Sequence, residues 1–443
     1  MTIKISISGG KKLSGIVPIH GAKNSVLELI PATLLTDEKV ILKNVPNLKD
    51  VATILNLMQV FGADICWDKN EHTITIMTKD LKSCIAPYDI VKTMRASIYV
   101  LGALLGRCGQ AKVSFPGGCV LGPRPIDLHI DAMKKLGANI EIINGDIVAN
   151  VELINGKRQL IGAVIELLNA QGKTSHGGTV NTLLAAVLAK GQTVIKYASI
   201  EPEIDDLVQM LNLMGADILK KNDNGINTLV INGVEKLHGC EFSVMPDRIE
   251  ALSYAVVGAL CNGQVSIINT DTTKYEYALN KLKDAGVMLN VSGDKRVLNI
   301  DGEATLINAI DITTSPYPGF PTDALPQFMT MLALANGKSR VQENVLSDRF
   351  QCVPELRRMG AVTELDNKLQ NVVYFTGVDC FSSARVMASD LRSGFALLIA
   401  GLVAAGDTRT EILRAYHIYR GYENFVEILR NLGADVEEQF YDE

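Results

Sequence analysis

The sequence predicts an α/β protein of two lobes, each built from three copies of one repeated unit. Three observations carry this expectation. A helix-ending glycine pattern recurs six times at nearly even spacing. A second family of turns keeps a similar period out of phase with the first. The composition is that of an ordinary globular chain, with 47% apolar and 21% charged residues in 443.

The first pattern reads FGADI at 61–65, LGANI at 136–140, MGADI at 214–218, AGVML at 285–289, MGAVT at 359–363 and LGADV at 432–436. Its glycines are Gly62, Gly137, Gly215, Gly286, Gly360 and Gly433, separated by 75, 78, 71, 74 and 73 residues. Glycine commonly follows the last turn of a helix because it accepts positive φ without a Cβ clash. Helical stripes precede the pattern. Val51, Ile54, Leu55 and Met58 form one, Leu207, Met210, Leu211 and Met214 another, and Phe425, Ile428, Leu429 and Leu432 a third. Asp50 and either Asp205 or Asp206 stand where N-caps are expected.

The second pattern is a small-residue helix, a turn and a strand, as in 183–195, 254–268, 331–341 and 399–412. Its turn glycines are Gly109, Gly191, Gly263, Gly337 and Gly406. These helices are apolar over much of their circumference and belong inside. The amphipathic helices of the first pattern belong nearer the surface. Each unit should hold two helices and about four strands, and three units could close around shared buried helices. A cleft between two lobes is a favoured ligand site.

Lys plus Arg total 43 and Asp plus Glu 49, a net charge of −6. That balance gives no support for a nucleic-acid binder. The uncharged, mostly apolar stretch from Ser393 to Gly406 is too short to span a bilayer. The start MTIKISISGG lacks the pattern of a signal peptide. The eight cysteines show no CxxC pair and read as free thiols of a reducing cytoplasm. The six histidines are scattered, so no metal site is expected.

Glycine and proline crowd 116–125, PGGCVLGPRP, which reads as a surface loop with Cys119 at its centre. Arg124 nearby would favour the thiolate. A nucleophile, a proton donor and a bystander thiol all remain open on these residues alone. His20-Gly21-Ala22-Lys23-Asn24-Ser25 and Lys173-Thr174-Ser175-His176-Gly177-Gly178-Thr179 each open a helix, where backbone N–H groups suit a phosphate or carboxylate. Asp323, Arg349, Asp390, Arg392 and Arg420 are further acid and arginine positions. Taken singly, each reads as a surface charge or a local salt bridge. No Walker, GxSxG or HExxH motif occurs.

Taken in order, HGAKN (20–24), VPNLKD (45–50), KTMRAS (92–97), PGGCVLGPRPIDLH (116–129), EPEI (201–204), PDRIE (246–250), FPTD (320–323), DRF (348–350), ASDLRSG (388–394) and HIYRGYE (417–423) resemble the bacterial UDP-N-acetylglucosamine 1-carboxyvinyltransferases of the enolpyruvyl transferase family. The resemblance covers essentially the whole chain. It implies two inside-out α/β barrel domains of three repeated units each, with an interdomain cleft. The first lobe would span 22–243, and the second 1–21 plus 244–443. The implied reaction moves the enolpyruvyl group of phosphoenolpyruvate to the 3-hydroxyl of UDP-N-acetylglucosamine and releases phosphate. That is the first committed step of peptidoglycan synthesis, in the cytoplasm, and needs no cofactor or metal. Small-molecule substrates are the expected partners, with no nucleic acid and no membrane. Oligomeric state stays open.

The resemblance also implies roles. Cys119 matches the loop cysteine that assists proton transfer and is alkylated by fosfomycin. Asp323 matches the base for the sugar hydroxyl. Lys23, Arg124 and Arg420 match the cations around phosphoenolpyruvate, and Asn24 a contact to the acceptor sugar. Arg95, Arg349, Asp390 and Arg392 match residues of the cleft and its closure. Arg124, Pro125, Asp127 and Leu128 align with the uracil side of the nucleotide site. Lys173, Ser175, His176 and Gly177 align with its phosphate-contacting segment, and Val345 with a backbone contact to the sugar.

Four places depart from the family pattern. His176 stands where valine is usual, Tyr419 where an acid precedes the arginine, Leu252-Ser253 where Gly-Thr is usual, and His20 where serine precedes GAKN. They favour one alternative, a transferase using another uridine nucleotide; a second alternative, of another class, is a UDP-sugar-binding homologue without turnover.

Overall fold

The computed structural model describes residues 2–115, 126–154, 156–169, 172–346 and 348–441. The described chain divides into two compact units. One runs from Gly21 to Met245, and the other combines the segment up to His20 with Pro246 onward.

Among the described residues, six four-stranded sheets share one topology, three in each unit. An outer strand runs parallel to a second, which pairs antiparallel with a third, which pairs antiparallel with a fourth. Ile85–Ala86, Gln110–Ser114, Asp146–Val151 and Ala138–Ile143 make one such sheet. Val164–Glu166, Gln192–Lys196, Ile226–Asn232 and Asp217–Asp223 make another. The chain order behind them is strand, buried helix, strand, amphipathic helix, strand, strand. The expected two helices and four strands per repeat are therefore present.

Three sheets draw a strand from outside their own repeat. Glu241–Ser243 returns to run parallel with Val40–Lys43. Gly15–Pro18 runs parallel with Gln264–Ile268. Thr2–Ser8 lies between Thr410–Leu413 and Asp435–Tyr441, antiparallel to both.

Each unit keeps small-residue helices inside. Lys23–Ala32, Val100–Cys108 and His176–Ala186 serve one, and Arg248–Leu260, Leu325–Leu332 and Leu391–Leu402 the other. In the last of these, every residue from Arg392 to Leu402 is buried. The helices of the glycine pattern bury one stripe only: in Glu276–Asp284 it is Ala278, Leu279 and Leu282. A helix that is apolar all round needs neighbours on every side, whereas an amphipathic helix needs one. Each unit thus has its own apolar core.

All six glycines of the first pattern adopt positive φ, between 90° and 103°. The turn glycines behave alike except Gly263. There Asn262 takes the left-handed conformation, with φ 49°. Gly263 answers to space instead, since a Cβ would lie 1.8 Å from the Leu13 carbonyl oxygen. The expected aspartate N-caps do not form. The helices Lys49–Val60 and Pro202–Leu213 start after Leu48 and Glu201, without a side-chain cap. Asp50 and Asp206 lie inside those helices and turn to longer-range partners.

Candidate active site

In the unit from Gly21 to Met245, the chain enters the helix Lys23–Ala32 through Ala22, whose N–H donates to Met245 O at 2.7 Å. Lys23 is buried, with Nζ 2.9 Å from Asp50 Oδ2. Burying a cation requires such a partner. Asn24 beside it is half-buried. Ser25 Oγ donates to Asp206 Oδ2 at 2.5 Å, and the same oxygen accepts Met245 N–H at 3.0 Å. Asp206 therefore joins the start of one helix to the end of the unit's last sheet strand.

The same helix carries Glu28, which is buried and reaches His176 Nε2 at 2.6 Å. His176 Nδ1 lies 3.3 Å from Ser199 Oγ. Burial pulls the imidazole pKa down, but the Glu28 charge and hydrogen bond override it and raise it to about 9. His176 opens the helix His176–Ala186, capped by Ser175 Oγ, which accepts Gly178 N–H at 3.0 Å. Both ring nitrogens of His176 have partners, Ser199 and Glu28. Lys173 is exposed two residues before the cap, and its N–H donates to Asn169 Oδ1 at 2.8 Å.

Gly177 is needed for a close approach, because a Cβ would sit 3.0 Å from His129 Cε1. His129 is buried on Asp127–Lys135, with Nδ1 2.9 Å from Asn181 Nδ2. Asn181 is oriented by Gly102 N–H donating to its Oδ1 and by its own Nδ2 donating to Ile98 O. His129 Nδ1 is then an acceptor, and the proton of the neutral ring is on Nε2. Burial, aided by the Arg95 charge, lowers its pKa to about 4. Asp127 is exposed at the first turn of this helix, and Leu128 packs against the core. Arg95 is half-buried at the start of the turn Arg95–Tyr99.

In the other unit, Asp323 lies between two buried arginines. Arg349 Nη2 is 2.5 Å from Asp323 Oδ1, and Arg392 Nη2 is 3.5 Å from Oδ2. Both arginines are 1% exposed, and the Asp323 side chain is 28% exposed. Arg349 Nη1 and Arg392 Nε and Nη1 are buried with no hydrogen-bond acceptor among the described residues. Such donors suit an oxyanion, since an unmet buried cation is costly. Arg392 also lies over the Tyr422 ring, 5.3 Å from its centroid. Burial lowers the Arg392 pKa, but Tyr422, Asp323 and Asp247 outweigh it and raise it.

Asp390 caps the helix Leu391–Leu402 by accepting the N–H groups of Arg392 and Ser393 at 2.8 and 3.1 Å. It thereby fixes the backbone that carries Arg392. Arg420 ends the turn Ala415–Arg420 and is half-buried. The surface reading of single arginines fails for Arg349 and Arg392, because both are core residues.

Glu343 escaped the sequence reading. It is buried, and its Oε1 accepts the N–H groups of Val345 and Leu346 at 2.5 and 2.9 Å. Thr314 Oγ1 donates to Oε1 and Thr322 Oγ1 to Oε2, each at 2.7 Å. Thr322 Oγ1 in turn accepts Arg349 Nε at 3.2 Å. One carboxylate thus positions both Val345 and the turn carrying Asp323. Glu28 escaped too. The only sequence signal for either was an acid in or beside a strongly apolar segment.

The departures from the family pattern are accommodated. Ser253 Oγ bonds Tyr422 Oη at 2.8 Å, and Leu252 is in the core. Tyr419 donates to Glu438 and packs on Phe425, centroids 4.9 Å apart. His20 Nδ1 is 3.0 Å from Glu250 Oε1. Cys119, Arg124 and Pro125 lie outside the described residues.

Each unit thus holds three sheets of one shared topology around buried helices. The family model for EPSP synthase (3-phosphoshikimate 1-carboxyvinyltransferase) matches residues 7–429, and the chain belongs to that family. Among curated relatives, the UDP-N-acetylglucosamine 1-carboxyvinyltransferase of Methylacidiphilum infernorum (isolate V4) is 43% identical over 433 residues, 98% of each chain. The protein of the same name from Idiomarina loihiensis is 45% identical over 434 residues, 98% of this chain and 99% of its own. Among solved structures, the enolpyruvyl transferase NikO from Streptomyces tendae superposes with TM-score 0.86 at 25% identity, covering 99% of both chains. An EPSP synthase from Acinetobacter baumannii, at 19% identity and TM-score 0.74, shares the fold.

Proposed function

We propose that this protein transfers the enolpyruvyl group of phosphoenolpyruvate to the 3-hydroxyl of UDP-N-acetylglucosamine, with release of phosphate. The observation that carries this reading is end-to-end identity, 43–45%, to relatives named for that reaction. The buried, unmatched guanidinium donors beside Asp323 agree with a substrate that is an anion.

The chemistry has two steps. In addition, the sugar oxygen bonds to C2 of phosphoenolpyruvate and a proton is delivered to C3, giving a tetrahedral ketal. In elimination, a proton leaves C3, the bond between C2 and the bridging phosphate oxygen breaks, and phosphate departs as the C2–C3 double bond re-forms. Asp323 takes the hydroxyl proton, and Arg349 and Arg392 hold its carboxylate in place. Cys119 delivers the proton to C3. Lys23, Arg124 and Arg420 neutralise phosphate and carboxylate and stabilise charge that develops in the transition state. Asn24 and the backbone at Val345 contact the sugar. Asp127, Leu128 and Pro125 contact the uracil, and Lys173 with the helix start at Ser175-His176-Gly177 contacts the diphosphate. Arg95 and Asp390 support the enclosure of the substrates. The product would enter peptidoglycan synthesis in the cytoplasm. Among the described residues, no helix is long and apolar enough to cross a membrane.

The test is phosphate release from phosphoenolpyruvate with and without UDP-N-acetylglucosamine, with product mass read alongside. Release that depends on the acceptor, with a carboxyvinyl increment on the sugar nucleotide, is expected. Turnover only with another uridine nucleotide would overturn the acceptor. Nucleotide binding without any turnover would overturn the enzymatic reading.

A further inference from the structure

Cys84 and Cys108 come together in a part of the molecule that the transferase reading does not use. Their sulfurs are 3.0 Å apart. Both are half-buried, so small solutes can reach the pair. The backbone on each side is pinned. Cys84 O accepts Lys112 N–H at 2.8 Å, and the next two residues run parallel to Gln110–Ser114, with Ile85 opposite Lys112 and Ala86 opposite Val113. Cys108 ends the helix Val100–Cys108, and Gly109, at φ 67°, turns the chain directly into that same strand. Helix end and strand start are thus held edge to edge by strand pairing.

We propose that Cys84 and Cys108 form a dithiol oxidation site, which low-molecular-weight disulfides such as oxidised glutathione convert to an intramolecular disulfide. A disulfide needs its sulfurs only about 1 Å closer than they stand.

The two thiols have different roles. The Cys108 hydrogen bond to Cys84 favours the Cys84 thiolate and, against the opposing effect of burial, lowers its pKa to about 7. The same hydrogen bond, together with burial, raises that of Cys108. An attacking thiol works best with its pKa near ambient pH. The Cys84 thiolate attacks one sulfur of glutathione disulfide. A protein–glutathione S–S bond forms, the original S–S bond breaks, and one glutathione thiolate leaves. Cys108 then gives up its proton and attacks the Cys84 sulfur, and the second glutathione leaves. In sum, two protein thiols and one glutathione disulfide give one protein disulfide and two glutathione thiols. The new bond would close the chain segment that carries Arg95.

The site does not depend on the transferase reading, and mapping disulfides in the full-length protein tests it directly. The native protein is equilibrated in mixtures of reduced and oxidised glutathione near neutral pH and quenched in acid. Remaining thiols are alkylated, and peptides are mapped by mass. A linked pair of peptides carrying Cys84 and Cys108, two hydrogens lighter than the free pair and restored by dithiothreitol, is expected. In Cys108→Ser, Cys84 should stop at its glutathione adduct. In Cys84→Ser, Cys108 should stay a free thiol. Recovery of both cysteines as alkylated thiols from the wild-type protein, under conditions that oxidise free dithiothreitol, would overturn the proposal. So would a linkage of Cys84 to another cysteine, or a Cys84–Cys108 link that forms only in denaturant.

Discussion

His176 keeps its proton because Glu28, buried beside it, has no comparable partner; Glu28 Oε2 accepts no hydrogen bond among the described residues. His20 stands in the same relation to Glu250, and both imidazoles are raised from 6.5 to about 9 although burial opposes it. Between those values the folded protein binds more protons than the unfolded chain, so stability is full below about 6.5 and falls as pH rises through 9. Each histidine accounts for up to about 3 kcal/mol. Urea unfolding at pH 6.5 and 9 should show the loss, and His176→Gln should remove roughly half of it. An unchanged pH slope in that variant would refute the role of the pair. Asp323 makes a second residue-scale prediction. Asp323→Ala leaves two buried guanidinium groups poorly matched and should cost about 3 kcal/mol, with turnover lost. Asp323→Asn keeps an oxygen for Arg349, so it should lose turnover at a smaller cost in stability. Equal denaturation midpoints for the two variants would contradict this.

At the scale of elements, what depends on local chain geometry was legible, and what depends on distant pairing was not. The six helix-ending glycines were found because positive φ is a local demand. Asp50 and Asp206 were misread as caps because Lys23 and Ser25, far off in sequence, claim their carboxylates. Glu28 and His176 are 148 residues apart, and nothing in either neighbourhood announces the other. Arg349 and Arg392 read singly as surface charges or local salt bridges, because burial of a cation follows from its partner rather than its own sequence context. The family resemblance supplied those positions where local reasoning stopped. The helix His176–Ala186 offers two tests. Ser175→Ala removes its cap and should cost about 1 kcal/mol, and it should raise the KM for the nucleotide more than it lowers kcat. Gly177→Ala pushes a methyl group against His129 and should weaken nucleotide binding in calorimetry while leaving phosphoenolpyruvate binding near normal. A loss shared equally by both substrates would point to a general folding defect instead.

For the whole molecule, the repeat period foretold six units of two helices and about four strands, and six four-stranded sheets are present among the described residues. Periodicity carries no information on which sheets borrow a strand from elsewhere. The borrowed strand Thr2–Ser8 sits in the interior of its sheet, so removing it leaves Asp435–Tyr441 without its pairing partner. Deletion through His20 also removes Gly15–Pro18 from a second sheet of that unit. Hydrogen exchange on such a deletion should show lost protection across 246–441 and retained protection across 21–245. Uniform protection loss in both would refute the independence of the two cores. The same strand orders events on the ribosome. Synthesis proceeds at about 5–20 residues per second, and the unit ending at Met245 has all its strands once Glu241–Ser243 has emerged. Thr2–Ser8 must wait, unpaired, until Thr410–Leu413 and Asp435–Tyr441 appear. From the synthesis of Thr2–Ser8 until that of its partners, the nascent chain therefore carries an open sheet strand, a natural place for a chaperone to hold it.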